Sequence, residues 1–453
     1  MLVGGSPLAV MRLSERGAAL IGRLRAGESG PWSGGEQHLI DRLLDRGMLL
    51  PTPGLDSRVG GPGIEEVTVV VPTFGRADEL DRCLVALRAD PNGGGSRIVV
   101  VDDGFADGLA VAAVANRWEA DLVRLEENAG PAAARNAGLA LVDSRLVAFV
   151  DSDVEVRPGW LAWVVRWFED ERAALVAPRV IARGRDDALG RFEIARSPLD
   201  LGPRPSLVRA RSRVAYVPAA ALVARTDAVR AVGGFDTSLR LGEDVDLCWR
   251  LAESGRRCWY VGDEAVVGHD VRGSVAAAAR QRFGYGTSAA GLDARHPGSV
   301  APLATSGWSL AVWAAVAGGH PVVGVGLAGA TAAALVRRLD QLEPGAAAGL
   351  ALRGHLGAGE LIGRALVRPW WPVTLLASTL SRRLRRVAVV AAVVPPLLEW
   401  RRRRPRLDPV TWTVLSLGDD VAYSAGVWWG AWRARSGRAL LPQIRSWPGR
   451  RER

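Results

Sequence analysis

Three nearly all-apolar runs, VTVVV (67–71), IVVV (98–101) and LVAFV (146–150), alternate with segments of helical spacing. That alternation constrains the fold more than any other feature of the chain. The helical segments are ADELDRCLVALRA, with Leu80, Cys83, Leu84 and Leu87 on one face, AVAAVANRW, PAAARNAGLALV and the Trp-rich WLAWVVRWFED; ADLVRLEEN reads as a further strand. Strands that are apolar on both faces need cover on both, which predicts an α/β fold with a parallel sheet between helical layers. In such sheets ligands bind outside the carboxyl ends of the strands. Three of these strands end at Pro72, Asp102–Asp103 and Asp151–Asp153, along one predicted rim.

At 453 residues the chain exceeds one ordinary core, so two or three domains are expected. Residues 1–60 read as a small helical module. LSERGAALIGRLRAG and GGEQHLIDRLLDRGMLLPTPG give two helices, the second stopped by Gly47, and a following strand would complete a winged-helix-like unit. Such a unit suits peptide or DNA recognition, or is a packing appendage. PTPGLDSRVGGPG (51–63) is turn-rich and predicts a linker. Residues 64–295 form the α/β domain, and 300–453 an apolar, mainly helical region.

Residues 301–336 carry no formal charge, only His320, and GGHP divides them into halves short beside the ~20 residues a membrane span needs. A short membrane hairpin and a buried helical pair both fit. WWPVTLLASTL and VAVVAAVVPPLLEW follow, with RRLRR at 382–386 and RRRR at 401–404 flanking the second. Net charge is +10, and every basic residue is Arg. The densest Arg clusters adjoin apolar segments, which favours an anionic membrane surface over nucleic acid as partner. The expected location is the cytoplasmic face of the cell membrane. Asp419–Asp420 argues against a simple span at 409–432. Cys83, Cys248 and Cys258 have neither metal nor redox spacing, which suits a reducing compartment. Arg12 and Glu15 interrupt the apolar N-terminal run, so no signal peptide is expected.

In VAFVDSDVEV, strand alternation points Asp151 and Asp153 to one face. Carboxylates held that close repel unless a cation lies between them. A hard divalent cation takes one or two protein carboxylates and completes its shell with substrate phosphates, which would place a diphosphate at the rim. A bare Asp-x-Asp also suits a solvated acidic turn; its neighbours decide.

VVVPTFGR, VVVDDG, ENAGPAAARNAGL, FVDSDV and GGFDTSLRLGEDVDLCWRL occur in that order. Over roughly 65–285 the chain thereby resembles the family 2 glycosyltransferases of GT-A fold. The resemblance implies that Pro72, Thr73, Phe74 and Arg76 line the nucleobase and ribose pocket. Asp103, with Asp102 beside it, would bind the base or ribose. Asn128, Gly130 and Arg135 would close over the nucleotide, with Arg135 on phosphate or on Asp151. Asp151 and Ser152 would also contact the nucleotide-sugar. Asp153 would ligate a divalent metal, Mn²⁺ or Mg²⁺, with His269 of AVVGHDV as the last ligand. Gly234 and Phe235 would begin the acceptor loop. Asp244 would be the base that an acceptor hydroxyl needs, with Glu243 orienting the acceptor and Asp246 capping or pairing on the helix. Phe105 stands where the family usually has a small hydroxyl residue. RQRFGYG offers Arg282 and Tyr285 as phosphate or acceptor contacts, and lacks the Trp of processive synthases.

The layout, a small module, then the transferase, then a Trp- and Arg-rich apolar region, is similar to the mycofactocin-biosynthesis glycosyltransferase family. That resemblance implies inverting transfer of glucose from a UDP-sugar, in short β-linked chains, to a peptide-derived redox cofactor precursor. The alternatives are a cell-wall or lipid-linked sugar transferase and, in a different class, an inactive nucleotide-sugar-binding scaffold.

Overall fold

A computed structural model describes residues 1–53 and 61–445. The expected linker at 51–63 therefore lies largely outside the described residues. The chain divides into two compact units, residues 1–184 with 196–271, and residues 185–195 with 272–453.

The first unit opens with a two-stranded antiparallel pair, β1 (Leu2–Gly4) and β2 (Ala9–Met11), then helices α1 (Glu15–Arg25) and α2 (Gly34–Leu44). Ser14 caps α1, and Ser33 with Glu36 forms a capping box on α2. Both helices fall where the spacing placed them. The strands precede them, however, so the expected helix-helix-strand order does not hold. Nor does the module fold apart from the α/β core. Arg257 of that core, its side chain 4% exposed, pairs with Asp41 of α2, with Asp45 capping its C-terminus and with Asp170 at 2.7–3.1 Å. Three carboxylates around one buried guanidinium tie the two parts together.

The α/β core then runs β3 (Val67–Thr73), α3 (Ala77–Arg88), β4 (Arg97–Asp102), α4 (Gly108–Arg117), β5 (Asp121–Arg124), α5 (Pro131–Ala140), β6 (Leu146–Val150), β7 (Val154–Val156), α6 (Trp160–Arg166), β8 (Ala173–Ala177) and β9 (Arg179–Arg183). After α7 (Ala188–Ala195), which belongs to the second unit, come β10 (Ser206–Leu207), β11 (Ala221–Arg225), α8 (Thr226–Ala231), α9 (Glu243–Glu253), β12 (Arg257–Tyr260) and β13 (Val266–Asp270).

Eight strands form one sheet in the order β10-β12-β8-β11-β6-β3-β4-β5. The β6-β3-β4-β5 half is parallel, as the apolar runs predict. The sheet as a whole is mixed, because β11 runs antiparallel to both β6 and β8. β3 and β6 are buried at every position, whereas edge strand β5 is largely exposed. A three-stranded sheet, β7-β13-β9, carries His269 beside the strand that follows Asp153.

The second unit is helical: α7, α10 (Val275–Arg295), then β14 (Ala304–Thr305), α11 (Gly307–Ala317), α12 (Pro321–Arg338), α13 (Pro344–Val367), α14 (Trp371–Leu380), α15 (Arg382–Arg403), α16 (Pro409–Arg433) and β15 (Gln443–Ile444), which pairs with β14. The unit begins at 272, not near 300, because α10 packs lengthwise along α16, with Gly286, Gly426 and Gly430 at backbone contact. GGHP separates α11 from α12 as predicted. His355 on α13 joins three helices, its Nδ1 3.0 Å from Ser309 Oγ and its Nε2 2.7 Å from Thr331 Oγ1. Among the described residues no helix is long and apolar enough to cross a membrane.

Candidate active site

The rim predicted from the strand ends exists. Thr73 and Asp102 are register partners at the carboxyl ends of β3 and β4, and Asp151–Asp153 follow β6. There a cavity of about 330 Å³ is lined by Pro72, Thr73, Phe74, Arg76, Asp103, Asn128, Gly130, Arg135, Asp151, Ser152 and Asp153. Pro131, Ala134 and Arg240 complete it. Residues from Pro72 to Asp153 converge because the parallel strands β3, β4 and β6 bring their carboxyl ends to one side.

Arg135 is the electrostatic centre. Its guanidinium is 5% exposed and donates to Asp151 Oδ1 at 2.7 Å and Glu243 Oε1 at 2.8 Å. Its Nε is buried without a partner. Burial alone would lower its pKa, but Asp151 and Glu243 raise it well above the ordinary value. One cation nevertheless faces three carboxylates, since Asp244 also acts on it. The excess negative charge appears on the acids. Burial, then Asp244, pushes Glu243 up to about 7. Burial raises Asp244 as well, against the opposing pull of Arg135.

Glu243 was expected to orient the acceptor. Instead it is 6% exposed and turned to Arg135, so it acts on the site through that side chain. Asp244 is held by two backbone donors: Oδ2 accepts from Ala219 N–H at 3.2 Å and Oδ1 from Val245 N–H at 2.8 Å. Asp151 N–H donates to Ala220 O, so the same turn before β11 positions Asp151 and Asp244. Gly242, with φ +85°, swings the chain into α9 so that these acids open its first turn, where the helix dipole favours them. Asp246 pairs with Arg250 at 2.7 Å, as expected.

Gly234 and Phe235 were expected to meet the acceptor. The structure buries both: Phe235 N–H and C=O bond the Asn136 amide at 2.9 and 2.7 Å. The Phe235 ring lies 5.4 Å from the Arg135 guanidinium and packs edge-on to Phe149. The Phe235 ring thereby braces Arg135.

Asp103 lines the cavity, but its two oxygens accept from Ala129 and Gly130 N–H at 2.9 and 3.0 Å. It therefore fixes the loop that starts α5. Gly130 at φ +92° is needed there, and the α5 N-terminus faces the cavity, a natural seat for phosphate. Asp102 is 1% exposed and does not line the cavity; its Oδ1 accepts from Phe105 N–H, and its Oδ2 is buried without a hydrogen bond, like Thr73 Oγ1. Phe74 is 44% exposed and stands edge-on to Phe105, 5.2 Å between centroids. Phe105 thus supports Phe74.

Arg76 was expected at the base or ribose; its guanidinium instead reaches Asp153 Oδ2 at 3.2 Å and Glu79 at 3.1 Å. His269 Nε2 lies 3.4 Å from the same Asp153 oxygen. Asp153 and His269 therefore lie side by side, whereas Asp151 is engaged by Arg135. Among the described residues no cluster of three or more His, Cys, Asp or Glu could hold a metal. Two protein ligands suit a divalent ion that takes its remaining ligands from a diphosphate. The attraction of Arg76 to the same oxygen marks it as a cation-seeking position.

Arg282 lies elsewhere. It is 2% exposed in the second unit, paired with Glu193 at 2.9 Å and with Asp419, so its role is structural. Conversely, Arg240 was missed; its place in the loop just before Glu243 was the available signal.

The description "Glycosyl transferase family 2" matches residues 68–227. Pre-mycofactocin glycosyltransferase of Mycobacterium tuberculosis, in strains CDC 1551 / Oshkosh and ATCC 25618 / H37Rv, is 40% identical over 98% of this chain and 94% of that protein. Succinoglycan biosynthesis protein ExoU of Rhizobium meliloti is 30% identical over 46% of this chain and 64% of that protein. Mannosyltransferase PcManGT from Pyrobaculum calidifontis, in complex with GDP-Man and Mn²⁺, superposes at a TM-score of 0.42 with 20% identity, covering 83% of this chain and 98% of that one. The relative matched over nearly its whole length decides the assignment: this chain belongs to the family 2 glycosyltransferases, in the group of pre-mycofactocin glycosyltransferase, and is a glycosyltransferase.

Proposed function

We propose that the enzyme transfers a hexose, glucose, from a UDP-sugar to a hydroxyl of a mycofactocin precursor, with inversion, and builds a short β-linked oligosaccharide. The acceptor reading is supported by the name and near-complete coverage of the Mycobacterium tuberculosis relative. The chemical reading is carried by one observation: at the rim Asp153 meets His269, and Arg135 joins Asp151 to Glu243, the residue before Asp244.

In this reading the nucleotide lies across the carboxyl ends of β3 and β4. Phe74 offers an exposed ring to the base, and the unpartnered Thr73 Oγ1 remains for a polar contact. The diphosphate lies toward the α5 N-terminus and Arg240. Asp153 and His269 would hold a divalent cation, Mn²⁺ or Mg²⁺, which when bound neutralises charge developing on the departing diphosphate. Asp244, fixed by the Ala219 and Val245 amides, takes the proton of the acceptor hydroxyl. That oxygen bonds the anomeric carbon from the side opposite the nucleotide as the bond to phosphate breaks, so configuration inverts once. Arg135 keeps Asp151 and Glu243 in place throughout.

UDP release from UDP-glucose, with Mn²⁺ and a mycofactocin precursor, tests this. Release should require the acceptor, fall roughly 10²–10⁴-fold in Asp244→Asn, and be lost in Asp153→Ala. Acceptor-independent release would retain the donor site and reject the acceptor. Release unaffected by Asp244→Asn would reject the base assignment.

A further inference from the structure

Most of the large hydrophobic side chains that the protein leaves exposed lie in its second unit. Helix α14 has no buried residue, and Val373, Leu375, Leu376 and Leu380 are 53–77% exposed. Helix α15 inverts the usual amphipathic pattern. Ala391, Pro395 and Glu399, one turn apart, face inward, while Val389, Val390, Val393 and Val394 face out. At the start of α12, Val322, Val323 and Val325 are 54–83% exposed. This segment adjoins α15, for a Cβ on Gly319 would lie 3.3 Å from the Arg383 guanidinium. The exposed residues of α14 and α15, which pack on each other, therefore form a connected apolar surface, larger than the scattered hydrophobic residues normal on a protein exterior, and the turn before α12 lies near the N-terminal end of α15. Between α14 and α15 opens a groove of about 370 Å³, lined among others by Trp370, Val373, Ala377, Leu384 and Val387.

Charge identifies the occupant. Arg382, Arg383, Arg385 and Arg386 open α15 beside this surface, all exposed, and none pairs with a carboxylate among the described residues. A water-facing helix would carry compensating acids there. A protein partner would need an acidic rim around an apolar centre, whereas a bilayer with anionic headgroups presents both along its whole surface. Apolar side chains at acyl depth with Arg at headgroup depth is the arrangement of an interfacial helix, not a spanning one.

We propose that the α12 N-terminus, α14 and α15 seat the protein in the headgroup–acyl boundary of an anionic membrane, with the α14–α15 groove taking up an acyl chain. The surface is independent of the transferase chemistry.

Flotation of the full chain with vesicles tests it, using phosphatidylcholine alone and phosphatidylcholine mixed with phosphatidylglycerol. The chain should float with the anionic vesicles, and less so at high salt. Each of Arg383→Gln and Arg386→Gln should weaken apparent vesicle affinity about fivefold at low salt. Leu376→Glu with Leu380→Glu should abolish flotation, while circular dichroism and UDP release stay unchanged, since both side chains are exposed. Three outcomes would each overturn the proposal: no flotation with either vesicle, flotation indifferent to both sets of substitutions, or a lipid-free dimer in light scattering that the double Leu variant dissolves. The last would give the surface to a second copy of the chain.

Discussion

Replacing Arg135 with Met tests the electrostatic reading of the site most directly. The substitution keeps an unbranched side chain of similar length and removes the one charge facing Asp151, Glu243 and Asp244. Removing one partner of a buried ion pair costs ~3–5 kcal/mol, because the other is left charged without compensation. A unit this size loses ~2–4 °C of melting temperature per kcal/mol, so a drop of about 6–20 °C is expected near pH 8. The loss should shrink near pH 5.5. Glu243, already pushed up to about 7 by burial and by Asp244, then carries a proton and needs the cation less. Adding Glu243→Gln to Arg135→Met should recover a good part of the loss at pH 8. Scanning calorimetry on the full chain, following the transition that UDP shifts, measures all three. A drop under about 2 °C, or one equal at both pH values, would refute the idea that Arg135 offsets the acids; the side chain would then matter only through its packing on Phe235.

The raised Glu243 also predicts a pH dependence in the unmodified protein. Its folded value lies above the ordinary ~4.3 of the unfolded chain, so its contribution to stability is fully present below that value and is lost as pH rises toward about 7. Glu243→Gln should flatten that decline in melting temperature between pH 4.5 and 7.5; an unchanged slope would place the titration elsewhere. Gly130→Ala meets no atom within 4 Å, so its cost comes from φ +92° alone. About 1–3 kcal/mol of stability and a weaker affinity for UDP by calorimetric titration are expected; full affinity would mean that the loop tolerates another shape. In the second unit, Trp412 is fully buried, packs on Phe192 at 5.2 Å and donates to Pro396 O at 3.0 Å. Trp412→Ala should lower stability by ~3–5 kcal/mol in a thermal melt, and a loss under 1 kcal/mol would show that the cavity collapses.

The helices and strands around the site were legible because their signals are local. Apolar runs of strand length, read as ending at Pro72, Asp102–Asp103 and Asp151–Asp153, end at Thr73, Asp102 and Val150, and Ser14 and Ser33 cap helices where the periodicity began. The ordered motifs located the pocket for the same reason: parallel strands bring successive carboxyl ends together whatever lies between them. The antiparallel insertion of β11 between β6 and β8 carried no such signal, since a short apolar strand reads alike in either direction.

Side-chain direction was the part only tertiary structure decided. The sequence by itself indicated an α/β core with a D-x-D rim, its resemblance to a transferase family with a Glu243–Asp244 pair, and Arg clusters beside apolar helices. It could not show that Glu243 and Phe235 turn inward to Arg135, that Arg76 reaches Asp153, or that Arg282 is held by Glu193 and Asp419. Nor could it show that Arg257 binds the N-terminal helices to the core. Each of these is an ion pair or contact between residues far apart in sequence. A charged residue in a helical pattern looks the same whether it ends in water or beside a buried partner, and only the packed chain brings that partner into contact.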